Sequence, residues 1–219
     1  MKKLLLFSFS ASLLLLTSCI TIFEKYKINA DGSGTLEYII DMSEMYEMMA
    51  AFSDSTEEMD MSGFDESMRE TLPGLKNLSG ISNIELTGNP TKFIAGVKFD
   101  FNNFDALNKA MAILFMNEEK SEDKTKYVEI KGKNFTRFGL TSKEFNKEAL
   151  LGSEELDEET MKTLLESMKY KISVEFEKPV KKVTSMAVLT QEKNSVLIET
   201  NLSEIFNNSD YLKTIIKTK

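Results

Sequence analysis

Cys19 is the single cysteine of a 219-residue chain, and its thiol has the widest chemistry of any side chain present. A disulfide within the chain is excluded for want of a second cysteine. Histidine is absent altogether, which removes the usual base for a thiol or serine nucleophile and the usual nitrogen ligand for zinc or iron. Ser-Lys and carboxylate mechanisms need neither group, but no nucleophile elbow or phosphate-binding loop supports one. The chain is expected not to be an enzyme and to need no cofactor. What remains for Cys19 is acylation.

The residues around it favour that use. Lys2 and Lys3 form a positive start, residues 4–16 an apolar run of secretory rather than spanning length, and Thr17-Ser18 a small-residue cleavage site. Leu16-Thr17-Ser18-Cys19 resembles the lipobox of bacterial lipoproteins, in which the cysteine is acylated on sulfur and becomes the mature N-terminus. One acyl chain of about fourteen carbons holds only marginally at roughly 0.8 kcal/mol per CH₂, so two or three chains on one cysteine are needed for a durable anchor. Residues 1–18 are read as a lipoprotein signal peptide. Ile20 follows the cysteine where aspartate would retain a lipoprotein at the inner membrane, so the expected location is the bacterial cell envelope, and the outer membrane where the cell has two.

Two other groups of residues could do chemistry. Seven methionines fall between Met42 and Met68, and Met42, Met45 and Met48, with Met59 and Met61, are spaced as thioether ligands for Cu(I) would be. Helical packing gives the same spacing, and an adaptable apolar surface for a lipid or protein is a third use. Asp31-Gly32-Ser33-Gly34 has the start of a calcium loop but lacks its further oxygen ligands, and reads as a turn. Loss of the two leader lysines takes the formal charge from −8 to −10. An acidic exported chain is not expected to bind nucleic acid.

Residues 19–219 are read as one α+β domain with a mobile, acidic, Met-rich insertion at about 53–73. Ile20, Ile22, Tyr26 and Ile28 share one parity, with Glu24 as the interruption. Leu36, Tyr38 and Ile40 repeat the pattern after the turn, which predicts a hairpin. Asp41 and Glu44 have capping-box spacing ahead of a helix bearing Met42, Met45, Tyr46, Met49 and Phe52. Leu72-Pro73-Gly74 is read as a stop. Phe93, Ala95, Val97, Phe99 and Phe101 alternate as a strand, and Asn102 or Asn103 caps a helix with Phe104, Leu107, Met111, Leu114 and Phe115 on one face.

A weaker hairpin turns at Gly132, and helices are expected over 142–151 and from Ser153 to Met168. Tyr170, Ile172, Val174 and Phe176 form a strict strand ended by Lys178-Pro179. Two strands over 181–190 and 195–200 follow, then a last helix through Leu202, Ile205, Leu212, Ile215 and Ile216, interrupted near Asn207. The predicted architecture is a largely antiparallel sheet built from repeated hairpin–helix units with helices on one face.

The opening strand–DGSG–strand (residues 26–40), with a closing strand, proline-valine, paired strands and helix (residues 170–216), resembles the LppM-like envelope lipoproteins. That resemblance implies an α+β domain with an apolar cavity and a part in lipid binding or envelope maintenance. Val196, Leu197 and Ile198 stand where such sequences often carry a tryptophan. The predicted function is a non-catalytic lipoprotein held to the membrane through acylated Cys19, binding an apolar ligand such as a lipid. The alternative is a structural or assembly lipoprotein that binds an envelope protein. Residues expected to line a ligand pocket are Met45, Met49, Phe93, Val97, Phe99, Phe101, Leu107 and Met111, each of which core packing would equally explain.

Overall fold

Alternating polarity along β1 (Thr21–Ile28) turns Ile22, Glu24, Tyr26 and Ile28 inward and leaves Phe23, Lys25 and Lys27 more exposed. The computed structural model describes residues 20–52, 66–116, 126–140 and 158–219. The leader and Cys19, residues 53–65 of the expected insertion and the helix expected over 142–151 lie outside these. β2 (Gly34–Asp41) pairs antiparallel with β1, setting Ile22 opposite Ile40 and Tyr26 opposite Leu36. In the turn between them, Asp31 Oδ1 accepts from the Ser33 amide at 2.9 Å and its hydroxyl at 2.6 Å, with Gly32 at φ 86°. An aspartate engaged by its own backbone two residues on closes a turn, as the sequence predicts.

β1 is also paired on its other edge, in parallel, with β7 (Lys169–Phe176), Thr21 lying against Lys169 and Ile28 against Phe176. It is the central strand of seven. With β3 (Ile81–Asn89), β4 (Ile94–Phe101), β9 (Val188–Gln191) and β10 (Ser195–Asn201) the order is β3-β4-β2-β1-β7-β10-β9. A second sheet, β5-β6-β11-β8, is built from β5 (Val128–Lys131), β6 (Asn134–Arg137), β8 (Val180–Thr184) and β11 (Thr214–Thr218).

Among the described residues five α-helices accompany the sheets: α1 (Ser43–Phe52), α2 (Glu66–Lys76), α3 (Phe104–Met116), α4 (Glu158–Ser167) and α5 (Leu202–Asn207). Asn103 caps α3 by accepting from the Ala106 amide at 2.9 Å, and Asn201 caps α5 through the Glu204 amide. Phe104 of α3 meets Phe101 on the inward face of the large sheet with ring centroids 5.8 Å apart. Phe135 of β6 contacts Tyr26, Phe104 and Phe176 at 6.0, 6.1 and 5.8 Å. The small sheet and α3 therefore close over the same face of the large one.

The α+β character holds, with four corrections. The large sheet is not antiparallel throughout, since β1 and β7 run parallel, and the strands of two sheets interleave instead of repeating one hairpin–helix unit. Leu72-Pro73-Gly74 is no stop: α2 continues to Lys76 because it packs on α3, where a Cβ on Gly74 would already stand 3.2 Å from Ile113 Cδ1. Residues 181–190 form β8 and β9, which belong to different sheets. The expected last helix stops at Asn207, and residues 214–218 form β11 with Thr214 and Ile216 fully buried and Ile215 outward. Three apolar residues in a short run satisfy either period, and sheet pairing decides between them.

Removing the ring on which three aromatic contacts between sheets and helix converge should leave a void. Phe135→Ala is expected to destabilise the protein by about 3–5 kcal/mol, read as a lowered midpoint of urea unfolding at unchanged slope.

Candidate functional site

Among the described residues Glu24 is the buried carboxylate, and like Arg137 it has no solvent exposure. Strand parity turns Glu24 inward from β1, and Arg137, two residues after Phe135, turns inward from β6 by the same rule. Arg137 donates from Nη2 to Glu24 Oε1 at 2.7 Å and from Nε to Oε2 at 3.0 Å. Its Nη1 donates to the Phe138 carbonyl. The Tyr26 hydroxyl donates to Oε2, the Tyr170 hydroxyl to Oε1, and Met111 Sδ lies 3.6 Å from the Tyr26 hydroxyl.

Four donors thus fill both oxygens of the carboxylate, about its full lone-pair capacity. Burial pushes the Glu24 carboxyl up, but the Arg137 charge and the hydrogen bonds from Arg137, Tyr170 and Tyr26 outweigh it and hold it below its ordinary value. Burial and then the Glu24 charge push both tyrosine hydroxyls well up. Burial lowers and Glu24 more than restores the Arg137 guanidinium, which stays charged. A carboxylate saturated in this way and shut from water has no site for a substrate proton. The cluster fits a lock between two sheets better than a general base.

Of the expected pocket residues, Val97, Phe99 and Phe101 line the inward face of β4, and Leu107 and Met111 face them from α3; all five are 0 to 2% exposed. Phe101 is fitted so closely that a Cβ on Gly34 would stand 2.7 Å from its ring and 2.1 Å from the Lys27 carbonyl oxygen. These five belong to one hydrophobic core. Phe93 lies just ahead of β4 in a left-handed conformation at φ 56°, its carbonyl accepting from the Met42 amide at 2.9 Å and its ring stacked on Tyr46 at 4.0 Å. Met45 is half-buried against the core, as is Met42. The side chain of Met49 and the whole of Cys19 lie outside the described residues.

Two depressions formed by described residues lie elsewhere. One, of about 70 Å³, is bounded by Ile28, Phe135 and Phe176 at the far end of β1, and the other is a polar hollow around Glu175 and Asn194. Among the described residues no group of three carboxylates is placed to hold a metal ion, and no helix is long and apolar enough to cross a membrane.

No protein-family profile matches the chain. No curated protein matches it either. Among solved structures it is similar to the folded domain of LppM from Mycobacterium tuberculosis, with 9% identity, a TM-score of 0.40, and 93% of this chain and 91% of that one covered.

Removing one half of the buried pair leaves the other charge without a partner. Arg137→Met is expected to cost about 3–5 kcal/mol, and the double variant Glu24→Leu/Arg137→Met to recover only part of it, because the buried Tyr26 and Tyr170 hydroxyls lose their carboxylate acceptor, in urea unfolding at pH 7. The pH dependence follows from the directions of the shifts. A lowered Glu24 contributes stability that is complete above the ordinary glutamate value of about 4.3 and is lost as pH falls through its folded value, while raised tyrosines withdraw stability above about pH 10. The double variant should lose Glu24's share of the acid limb, measured as midpoint against pH.

Proposed function

We propose that this chain is an acyl-anchored, non-catalytic envelope lipoprotein that takes part in envelope maintenance through the surface it presents beside the membrane. The observation that carries the reading is that the Ile20 carbonyl accepts from the Lys169 amide at 2.8 Å, so the residue next to the cysteine of the lipobox-like LTSC is already bonded into the sheet. The saturation of the buried carboxylate supports the non-catalytic part.

The packing of Val97, Phe99, Phe101, Leu107 and Met111 into one another favours a module without a lipid enclosed by those residues. Ligand binding is better sought at the Met45–Phe93 end, where a bulky residue holds a left-handed backbone and stacks on a helix. An acidic domain at the envelope also suits a protein partner, and nucleic acid is not a partner in this reading.

Intact-mass analysis and fractionation test the anchor and its role together. The membrane-fraction protein is expected to carry the mass of residues 19–219 plus diacylglycerol, and Cys19→Ala to appear as uncleaved precursor without that mass. In a deletion strain, wild-type protein should restore detergent resistance and Cys19→Ala should not. An unmodified mature chain, or full rescue by Cys19→Ala, would overturn the proposal.

A further inference from the structure

Six large apolar side chains are exposed among the described residues, and three of them are neighbours in the chain: Met186, Val188 and Leu189, at 53%, 72% and 37% exposure. They lie where the chain leaves the small sheet and enters β9, with Ala187 buried between them as the point of attachment. Among the described residues β9 is the edge of the large sheet and pairs only with β10. Scattered exposed apolar residues need no explanation, but here Val188 and Leu189, successive in the strand, leave an exposed apolar side chain on each face of one edge, with Met186 in the bend just ahead of them.

The register gives the group a location. Val188 lies against Glu199, Glu199 against Lys171, and Lys171 against Phe23, so Val188 is level with the third residue of β1. Met186 precedes this first paired residue, in the bend that leads into β9. Cys19 is one peptide unit beyond Ile20, about 3.8 Å between Cα atoms, and three strand spacings of about 4.8 Å separate β1 from β9. Glu199, the neighbour of Val188, is paired with Lys171 at 3.2 Å and presents no bare negative charge, while Lys169 at the same end is exposed.

We propose that the 186–189 segment is a second membrane contact, its apolar side chains entering the boundary between headgroups and acyl chains beside the lipid on Cys19. The inference rests on the acyl-anchor reading, because it is the short link from Cys19 to β1 that brings this end of the sheet to the bilayer. One lipid-bearing cysteine holds a point; an apolar tip about 14 Å to the side fixes the domain's tilt as well.

The test uses the full acylated chain, in which modification masks Cys19 and a single introduced cysteine can be labelled selectively. Val188→Cys carries an environment-sensitive fluorophore, and Lys178→Cys, exposed at the opposite end of the sheet, carries the same label as reference. Both are bound to phosphatidylcholine–phosphatidylglycerol vesicles containing lipid nitroxides, and the same samples are floated on a density gradient. The expected result is flotation of both, with the probe at 188 quenched several-fold more than the probe at 178. Flotation with equal quenching would overturn this inference and leave the anchor standing. Failure to float would overturn the anchor and the inference with it. A dimer in detergent with the probe at 188 already shielded would assign the edge to a second copy of the chain instead.

Discussion

Glu24 and Arg137 are the constraint to which the rest of the fold answers. Taking a carboxylate and a guanidinium out of water costs several kcal/mol per ion even after relaxation, and the pair persists because the fork is bidentate and the two tyrosines complete it. One partner comes from the central strand of the seven-stranded sheet, the other from β6 of the small sheet, and Tyr170 from the strand that pairs in parallel with β1. Apolar faces tolerate sliding, whereas a fork with four donors on one carboxylate has a single satisfying arrangement. The aromatic contacts of Phe135 then pack around a position already fixed.

β1 carries a second duty. It is paired along both edges over its whole length, and it is the first element after the cysteine expected to bear the anchor. In the proposed reading a pull on the anchor would be delivered to the middle of the large sheet, where neighbouring strands share it, since Ile20 is already bonded to Lys169. In the proposed reading the domain is held close to the bilayer in a defined attitude, which suits a protein that works on the membrane face beside it.

Much of this architecture was legible from residue patterns. The β1–β2 hairpin followed from Ile22, Tyr26, Leu36 and Tyr38 on either side of a turn that Asp31 closes by accepting from Ser33, and β7 from strict alternation through Phe176. The signal for the buried pair was also present, since Glu24 broke an otherwise apolar parity. Its partner was harder to find because β6 is four residues long, and Arg137 joins the inward face only if the parity of Phe135 is carried two residues on. Pairing in parallel across more than 140 residues left no local trace, and neither did the handover of residues 180–191 from one sheet to the other. The pattern placed Phe99, Leu107 and Met111 on facing surfaces, but apolar periodicity reads the same for a filled core as for the wall of a cavity.

Amide hydrogen exchange along β1 in the acylated protein tests the central claim most directly. A strand paired on both edges and locked through Glu24 should exchange only by global unfolding, with the amides from Phe23 to Ile28 protected alike and protection already established at the first bonded positions. Exchange of the first half of β1 at the rate of an unstructured peptide, with the second half protected, would show a frayed tether between anchor and domain and contradict the account.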